Sequence, residues 1–474
     1  MSTYHTILSR LNAIPAAGNT PTADAVYFLG IGGIGMSALA RYFLSLGVRV
    51  SGYDRTSTPL TQQLEQEGML IHYTDDVSRV DRDAQVVVWT PAIPKDHQEL
   101  NFLRDNGYLL VKRSEVLGAV INAQFSICIA GTHGKTTTSS LVAHVLRDSG
   151  YGCNAFLGGI ASNYQANFWT SPNPVAVAEA DEYDRSFLRL FPDMAVISSM
   201  DADHLDIYGT HDALEQAFIQ FTKQIKPDGF LLSKYGLPQT ASLVASTHWT
   251  YSGAHAGADC HPTHLRVVNG AYRFDVQLPD TTITDIELAM GGRHNVENAI
   301  AAIAIAHRLG IEADKIRAAI ASFRGVKRRF EYIHRDAASV MIDDYAHHPG
   351  ELEALIQGIR ELYPDRKLTL VFQPHLYSRT RDFADGFAEA LSKADEVYLL
   401  PIYPARELPM EGVNTEMIAA RMSHPSVYLL SKEAWLEQCE KWRSAQQVPA
   451  MLVTAGAGDI DALVPSTQTI LYAS

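Results

Sequence analysis

The chain has 474 residues, four cysteines and a formal net charge of −14 at pH 7. This length exceeds what one hydrophobic core supports and predicts about three domains, while the acidic balance argues against nonspecific binding to nucleic acid. No apolar run approaches the roughly 18 residues that span a bilayer, and the scattered cysteines indicate neither a disulfide framework nor a cysteine zinc site. The N-terminus lacks a basic segment followed by an apolar core, so we expect a cytoplasmic protein that binds no membrane.

The first predicted elements alternate between strand and helix. A buried strand at residues 25–29 is followed by a glycine run at 30–37 and an apolar-faced helix at 38–46. Further strands are predicted at 48–54, 84–90 and 109–113, and helices at 59–68, 96–106 and 114–122. This alternation is typical of a parallel sheet covered by helices. We therefore predict a Rossmann-like α/β domain over residues 1–123.

The glycine run matches the pattern G-x-G-x-x-G, and Asp54 ends the next predicted strand. Backbone N–H groups at a helix start bind phosphate oxygens, so the run predicts a site for a diphosphate-bridged nucleotide. Taken alone it favours a nicotinamide dinucleotide, but a UDP-sugar satisfies the same geometry, and tight packing without a ligand is a third interpretation. The candidate binding residues are Gly30, Gly32, Gly33, Gly35, Met36, Ser37 and Asp54.

A second glycine loop follows the apolar strand predicted at residues 125–130. Its sequence departs from the usual G-x-x-x-x-G-K-[ST], because Ile129 stands where that pattern has its first glycine. Backbone N–H groups of such a loop bind polyphosphate, and Lys135, which belongs to this solvent-facing loop, adds positive charge for the outer phosphates. We predict an ATP site, rather than a plain glycine turn before a helix, formed by Gly131, Thr132, His133, Gly134, Lys135, Thr136 and Thr137.

Acidic residues follow two further strands, predicted at residues 174–181 and 194–200. Ligands of open α/β sheets gather at the carboxyl ends of strands, where the sequence places Glu179 and the run D-A-D-H-L-D with His204. Hydroxyl and carboxylate oxygens suit Mg²⁺, so Thr136, Glu179 and His204 are the predicted metal ligands. For His204 a purely structural role is the alternative.

After these strands the predicted elements become short strands and turns, and strands and helices alternate again near the C-terminus. Residues 229–292 are predicted to form short strands and turns, including a hairpin at 265–274 with an Asn-Gly turn, and helices follow at 295–308 and 313–323. Beyond the basic segment 324–329, strands are predicted near 339–344, 367–373, 395–403, 426–430 and 451–455. This basic segment could be a domain boundary or a solvated helix end, and the usual length of domains favours a boundary. We expect a central P-loop ATPase-like domain at 124–325 and a C-terminal Rossmann-like α/β domain at 326–474.

Charged side chains collect after two of the C-terminal strands. The stretch D-D-Y-A-H-H-P contributes Asp344, His347 and His348, and F-Q-P-H-L-Y-S-R-T-R contributes His375 and Arg379. Carboxylates, imidazoles and guanidinium groups at adjacent strand ends predict a site for a charged substrate. The double histidine does not favour zinc, because adjacent side chains on an extended segment diverge and no third ligand has suitable spacing.

Together these motifs resemble those of the Mur ligases, the ATP-dependent amide-forming enzymes of peptidoglycan precursor synthesis. The matching stretches span nearly the whole chain and are G-I-G-G-I-G-M-S, T-P-A-I-P, G-T-H-G-K-T-T-T, E-A-D-E, D-A-D-H-L-D, G-R-H-N, D-D-Y-A-H-H-P and F-Q-P-H-L-Y-S-R-T-R. The resemblance implies an N-terminal UDP-binding domain, a central ATPase domain and a C-terminal domain that helps to bind the amino acid. It also implies Mg²⁺, the substrates UDP-N-acetylmuramate, L-alanine and ATP, and a reaction through an acyl phosphate, in a monomer or weak homodimer.

The resemblance assigns further residues. It places Asn295 and Asn298 near the adenine, Arg328 or the neighbouring arginine near the phosphates, and Thr90 and Ala92 in the sugar-nucleotide site. By the same resemblance Asp344, His347 and His375 join the substrate site. The catalytic candidates are Lys135, Glu179, His204, His348 and Arg379.

Two positions depart from the family pattern. Phe218 and Ile219 stand where several sister ligases carry a carbamylated lysine, and the alanine-adding branch lacks that lysine too. Leu376 stands where alanine-adding enzymes often have arginine, which leaves Arg379 and Arg381 as the nearby cations.

Three other functions are consistent with parts of the sequence. A nicotinamide-dependent dehydrogenase explains the first glycine run but leaves the second loop unexplained. A non-enzymatic nucleotide switch needs no clustered histidines and arginines in the last domain. A related ligase that attaches a recycled peptide to UDP-N-acetylmuramate shares both the sugar-nucleotide and the ATP sites.

Overall fold

A computed structural model of the chain describes residues 24–202, 205–405, 407–423 and 426–472. The predicted metal ligand His204 therefore lies outside the described residues. The chain divides into two compact units, and the first consists of the residues up to Pro262 together with Val276–Ile283 and Glu297–Ile320. The second unit consists of Thr263–Asp275, Thr284–Val296 and the chain from Ala321 onward.

The N-terminal sheet has five strands: β1 (Ala25–Leu29), β2 (Arg49–Tyr53), β3 (Leu70–His72), β4 (Val86–Trp89) and β5 (Leu110–Lys112). Its helices are α1 (Ile34–Ser45), α2 (Pro59–Gln66), α3 (Gln98–Asp105) and α4 (Arg113–Asn122). All strands are parallel, in the order β3-β2-β1-β4-β5. The order reverses between β1 and β4, so the glycine run after β1 lies at the switch point where such sheets bind ligands.

The Rossmann-like prediction is confirmed for this sheet, with two differences in detail. Helix α1 begins at Ile34, within the glycine run, whereas the sequence predicted a start at residue 38. Strand β3 was not predicted, because its three residues are too few to show a periodic pattern and Leu70 is exposed.

The central sheet has seven strands: β6 (Phe125–Ala130), β7 (Asn154–Ala161), β8 (Ala166–Trp169), β9 (Val175–Ala180), β10 (Met194–Ile197), β11 (Phe230–Lys234) and β12 (Thr247–Tyr251). Its helices are α5 (Lys135–Asp148), α6 (Leu205–Tyr208) and α7 (His211–Thr222). The order is β12-β11-β10-β6-β9-β7-β8, parallel except for the antiparallel pair β7 and β8. Strand β6 therefore lies between β10 and β9, and the loop after it is flanked by the ends of both neighbours.

A three-stranded sheet in the order β13-β14-β15 follows, with β13 (His261–Val268), β14 (Ala271–Gln277) and β15 (Thr282–Leu288). Asn269 and Gly270 connect β13 to β14 with φ of +51° and +71°, which are the left-handed conformations that a two-residue Asn-Gly hairpin turn requires. The predicted hairpin is confirmed. The next helices are α8 (Arg293–Arg308) and α9 (Ala313–Ser322).

The C-terminal sheet has six strands: β16 (Glu331–Arg335), β17 (Val340–Asp344), β18 (Leu368–Phe372), β19 (Glu396–Leu399), β20 (Val427–Leu429) and β21 (Met451–Ala455). The order is β16-β17-β21-β18-β19-β20, and β16 is the antiparallel edge strand. Its helices are α10 (Pro349–Leu362), α11 (Tyr377–Asp382), α12 (Ala384–Leu391), α13 (Glu416–Ala419), α14 (Lys432–Ser444) and α15 (Val464–Tyr472). Strand β19 is shorter than predicted, since Pro401 has no N–H to continue a ladder.

The four cysteines are free and buried. Burial raises the pKa of the Cys128 thiol, so this side chain behaves as a small apolar group of the β6 core. No helix in the described parts of the chain combines the length and the apolar character needed to cross a membrane.

Candidate nucleotide and substrate sites

The loop between β6 and α5 has the backbone of a phosphate cradle. Gly131 and Gly134 have φ of +134° and +81°, which residues with a side chain rarely adopt. A Cβ on Gly131 would lie 2.2 Å from Ser198 Oγ, so the loop also requires glycine for its close approach to the end of β10. Within the described residues no side chain caps α5, whose first turn therefore presents its N–H groups and positive dipole end to an anion.

Lys135 is held by a carboxylate that the sequence interpretation left without a role. Its Nζ donates to Gly131 O at 2.7 Å and to both oxygens of Glu182, at 2.9 and 2.8 Å. Only 15% of the Lys135 side chain is exposed and none of Glu182, so this lysine is largely buried within the loop. Burial raises the pKa of Glu182, and the neighbouring ammonium of Lys135 opposes that rise.

Two of the three predicted metal ligands lie together at the start of α5. Thr136 Oγ1 donates to Glu179 Oε2 at 3.1 Å, while Glu179 Oε1 accepts from Gly158 N at 2.6 Å and from Ser139 Oγ at 3.2 Å. A Cβ on Gly158 would lie 2.5 Å from the Glu179 carboxylate, which explains glycine at this position of β7. Hydroxyl and carboxylate oxygens in this arrangement fit Mg²⁺. Among the described residues no three histidine, cysteine or acidic side chains form a metal-binding group.

The two predicted adenine-site residues have different surroundings. Asn298 accepts from Thr138 Oγ1 at 3.1 Å, and its Oδ1 would lie 3.0 Å from a Cβ on Gly134. It is therefore next to the phosphate loop. Asn295 donates to Gly291 O at 2.7 Å, a bond within its own turn.

The glycine run after β1 is held by the ends of neighbouring strands. The N–H groups of Gly30 and Ile31 donate to Tyr53 O at 2.8 and 3.0 Å, and Gly32 N donates to Asp54 Oδ2 at 2.7 Å. Thr90 borders the run, since its Cγ2 would lie 3.2 Å from a Cβ on Gly30. The structure thus brings together Asp54, Thr90 and the glycines, as the sequence predicts.

Other predicted members of this site are differently placed. Met36 and Ser37 are buried, and the N–H groups of both donate to Gly33 O, at 2.9 and 2.8 Å. Ala92 is exposed in the turn after β4. Arg113 was missed by the sequence interpretation, although its Nη1 would lie 2.9 Å from a Cβ on Gly35 and so places a cation beside the run. Its signal in the sequence was the basic pair Lys112 and Arg113 at the junction of β5 and α4.

In the second unit, His375 lies next to two other predicted site residues, Arg379 and His347. Arg379 Nη1 donates to His375 Nδ1 at 3.2 Å, and the His347 and His375 ring centroids are 6.3 Å apart. Tyr403 stacks on His375 with centroids 5.7 Å apart. Burial is the main cause that lowers the pKa of both His347 and His375, so both imidazoles are neutral at pH 7. The ring of His348 instead packs against Phe383 at 4.5 Å.

Arg328 and Asp344 are engaged in backbone contacts of the second unit. The Arg328 guanidinium donates to the carbonyls of Gly456 and Gly458 and lies 3.5 Å from Asp343 Oδ2. The Asp344 carboxylate accepts from Phe330 N at 2.7 Å and from Ala346 N at 2.8 Å. Burial raises the pKa of Asp343 to about 7 and that of Asp344 to about 6. These contacts tie the start of β16 to the ends of β17 and β21.

Leu376 has an unusual backbone for a residue with a side chain. Its φ is +71°, and it stands at the start of α11, where Thr380 Oγ1 donates to Leu376 O at 2.8 Å. Conformations of this kind cost about 1–3 kcal/mol and are found at ligand sites. The strained residue is thus the same one that departs from the family pattern.

Three family models match the chain in succession. They are the Mur ligase family catalytic domain over residues 25–125, the Mur ligase middle domain over 129–306, and the Mur ligase glutamate ligase domain over 328–465. The chain belongs to the Mur ligase family. The predicted family resemblance is confirmed, as is the α/β fold with its three Mur ligase regions.

Similar proteins cover nearly the whole chain. The UDP-N-acetylmuramate–L-alanine ligase of Flavobacterium johnsoniae is 46% identical over 96% of this chain and 99% of its own, and that of Porphyromonas gingivalis is 47% identical over 93% and 97%. The crystal structure of UDP-N-acetylmuramate–alanine ligase from Thermotoga maritima has a TM-score of 0.78 at 26% identity, over 94% of this chain and 98% of that one. A murein peptide ligase from Psychrobacter arcticus shares the fold, with a TM-score of 0.65 at 23% identity over 95% and 99%.

Proposed function

We propose that this protein ligates L-alanine to the lactyl carboxylate of UDP-N-acetylmuramate at the expense of ATP. The observation that carries the proposal is the convergence of Lys135, Thr136 and Glu179 at the start of α5, because phosphoryl transfer needs positive charge and metal-binding oxygens around the polyphosphate. The choice of substrates is supported by the alanine ligases that are similar over nearly the full chain.

The reaction that fits these residues has two steps. A carboxylate oxygen of UDP-N-acetylmuramate attacks the γ-phosphorus of ATP, the bond to the β,γ-bridging oxygen breaks, and ADP leaves. The amine of L-alanine then attacks the carbonyl carbon of the acyl phosphate, inorganic phosphate leaves, and the amine gives up a proton. Neither step needs a covalent bond to the protein.

Each residue has a physical task in this proposal. The N–H groups at the start of α5 bind the polyphosphate, whereas those of Thr132 and His133 donate to Ser199. Lys135 neutralises charge on the transferred phosphoryl group. Thr136 and Glu179 would hold Mg²⁺, which polarises the phosphoryl oxygens when bound. Asp54, Thr90 and the first glycine run would bind the UDP part of the sugar nucleotide.

The second unit supplies candidate groups for an anionic part of the substrates. Arg379, oriented by His375, offers a guanidinium that binds a carboxylate or phosphate through two parallel hydrogen bonds. Neutral His347 lies beside this pair. The proposal also includes a cytoplasmic location, a monomeric or weakly dimeric state, and the domain limits 1–123, 124–325 and 326–474.

The test is phosphate release with ATP and UDP-N-acetylmuramate, comparing L-alanine, L-serine, glycine and a tripeptide, with the product identified by mass. We expect release that depends on both the sugar nucleotide and L-alanine. Release that occurs with the tripeptide and not with L-alanine would assign the protein to peptide ligation. Reduction or oxidation of a nicotinamide dinucleotide with the same substrates would reject a ligase altogether.

A further inference from the structure

Asn167 is a fully buried residue of β8, and its side chain forms hydrogen bonds with α1, a helix that packs on the N-terminal sheet. Its Nδ2 donates to Ile34 O at 2.6 Å and to Ser37 Oγ at 3.0 Å. Its Oδ1 accepts from Arg41 Nη1 over a short bond. All three partners lie in α1: Ile34 and Ser37 belong to the end of the glycine run, and Arg41 lies one turn beyond Ser37. Both polar atoms of the Asn167 side chain therefore form hydrogen bonds with the N-terminal part of α1.

Arg41 extends this contact to a second helix. It is 8% exposed, and its Nε and Nη2 donate to the two oxygens of Glu67, each at 2.8 Å. Glu67 closes α2, and the Thr61 side chain of the same helix packs over the run, with Cγ2 2.5 Å from where a Cβ on Gly32 would lie. Hydrogen bonds thus join β8 to α1 through Asn167 and α1 to the end of α2 through Arg41, while Thr61 of α2 borders the glycine run.

Aromatic packing lies beside the network on the same hairpin. The Tyr42 ring of α1 lies 5.5 Å from Phe156 of β7 and 6.1 Å from Phe168 of β8. Hydrogen bonds in such surroundings are stronger than in water, and a buried polar group left without its partner is costly. Loss of the Asn167 amide would therefore leave buried polar groups of α1 without a partner.

Only a side-chain amide satisfies these partners. Ile34 O accepts and needs a donor, whereas Arg41 donates and needs an acceptor, so the orientation of the Asn167 amide follows from its neighbours. An aspartate of the same shape has no donor and would place a negative oxygen against Ile34 O. An alanine at this position offers neither a donor nor an acceptor.

The hairpin that holds α1 also holds the candidate metal ligand. Strand β8 pairs with β7, and Gly158 of β7 donates its N–H to Glu179 at 2.6 Å. Asn167 is thus connected to both phosphate-binding helix ends, through direct hydrogen bonds to α1 and through one strand to the acidic residue that faces α5.

We propose that Asn167 is a positioning residue that fixes the phosphate-binding end of α1 against the central sheet. The inference rests on the proposed function, because it takes UDP to bind at the glycine run. Asn167 belongs to the central sheet and not to the proposed UDP site. The inference therefore gives it an indirect role in the affinity for the sugar nucleotide.

The test uses the full-length chain, with UDP and Mg·ADP as separate calorimetric probes. The variants are Asn167→Asp and Asn167→Ala, and Asn154→Asp is the matched control. Asn154 is a buried asparagine of the same hairpin, which donates to Gln124 Oε1 at 2.5 Å and accepts from Ser171 N at 2.9 Å, and both of these partners lie outside α1.

We expect both Asn167 variants to bind UDP about tenfold more weakly, the size of effect that one or two lost hydrogen bonds produce, with Mg·ADP affinity unchanged. Asn154→Asp should leave both affinities unchanged, even if it lowers the melting temperature as much. Wild-type UDP affinity in both Asn167 variants, or an equal loss for UDP and Mg·ADP, would overturn the inference while leaving the proposed function intact. A wild-type protein that binds no UDP would instead overturn the proposed nucleotide site, and the inference with it.

Discussion

Replacing Lys135 should remove ligation and also destabilise the protein. Its ammonium is the partner of a fully buried carboxylate, Glu182, and only 15% of the lysine side chain is exposed. Removing one partner of a buried ion pair costs about 3–5 kcal/mol, because the other charge stays buried without compensation. We therefore expect Lys135→Met to lose several kcal/mol of unfolding free energy, at the lower end of that range because the lysine is partly exposed.

The pH dependence of this loss identifies its cause. Burial raises the pKa of Glu182, and Lys135 opposes the rise, so removing the lysine raises the pKa further. An acid with a raised folded pKa contributes stability at low pH that is lost as the pH rises through that pKa. The difference in unfolding free energy between wild type and Lys135→Met should therefore become smaller as the pH falls from about 8 to about 5.

The double variant Lys135→Met, Glu182→Gln is the control, because it removes both charges. The double variant should regain most of the lost free energy of unfolding, as measured by urea unfolding. Its ligation rate should stay at least about a hundredfold below wild type, because the transferred phosphoryl group lacks its cation. A Lys135→Met protein with wild-type stability at every pH would refute the buried pair. Wild-type turnover by the folded double variant would remove Lys135 from the catalytic site.

Three further predictions address the other sites. Glu179→Gln should raise the Mg²⁺ concentration needed for half-maximal activity, because a charged ligand becomes neutral; unchanged magnesium titrations for Glu179→Gln and His204→Ala would place the metal elsewhere. Arg379→Lys should lower kcat/KM for UDP-N-acetylmuramate about tenfold or more while ATP binding is kept, since lysine cannot form two parallel hydrogen bonds; normal kinetics in both Arg379→Lys and Arg379→Ala would make this arginine a surface cation. Calorimetry should detect UDP binding to the wild-type protein and no binding of NAD or NADP, and the reverse pattern would restore the dehydrogenase hypothesis.

The sequence predicted those features that depend on neighbours along the chain. Strand β1 and the glycine run, and strand β6 and the loop at Gly131, are each a strand, a turn and a helix start within about fifteen residues, so local patterns define them. The Asn269–Gly270 turn belongs to the same class, because its positive φ values are a local requirement.

Several partners that meet only through tertiary contact were missed, although the shared edge of the sheet did predict that Thr136 and Glu179 lie together. The Lys135–Glu182 pair joins residues 47 positions apart, and Asn167 contacts α1 across more than 120 positions. The carbonyls that bind Arg328 lie about 130 positions along the chain. No periodicity or motif spacing encodes such partners, and the resemblance carries over only the residues of the motifs themselves.

The most direct test of the central claim follows an oxygen atom through the reaction. UDP-N-acetylmuramate labelled with ¹⁸O in both oxygens of its lactyl carboxylate is incubated with ATP, Mg²⁺ and L-alanine, and the released phosphate is analysed by mass spectrometry. The acyl phosphate route predicts one ¹⁸O atom in each released phosphate, in amounts equal to the amide product. Amide formation accompanied by unlabelled phosphate would contradict that route, and failure to form the amide at all would contradict the proposed function.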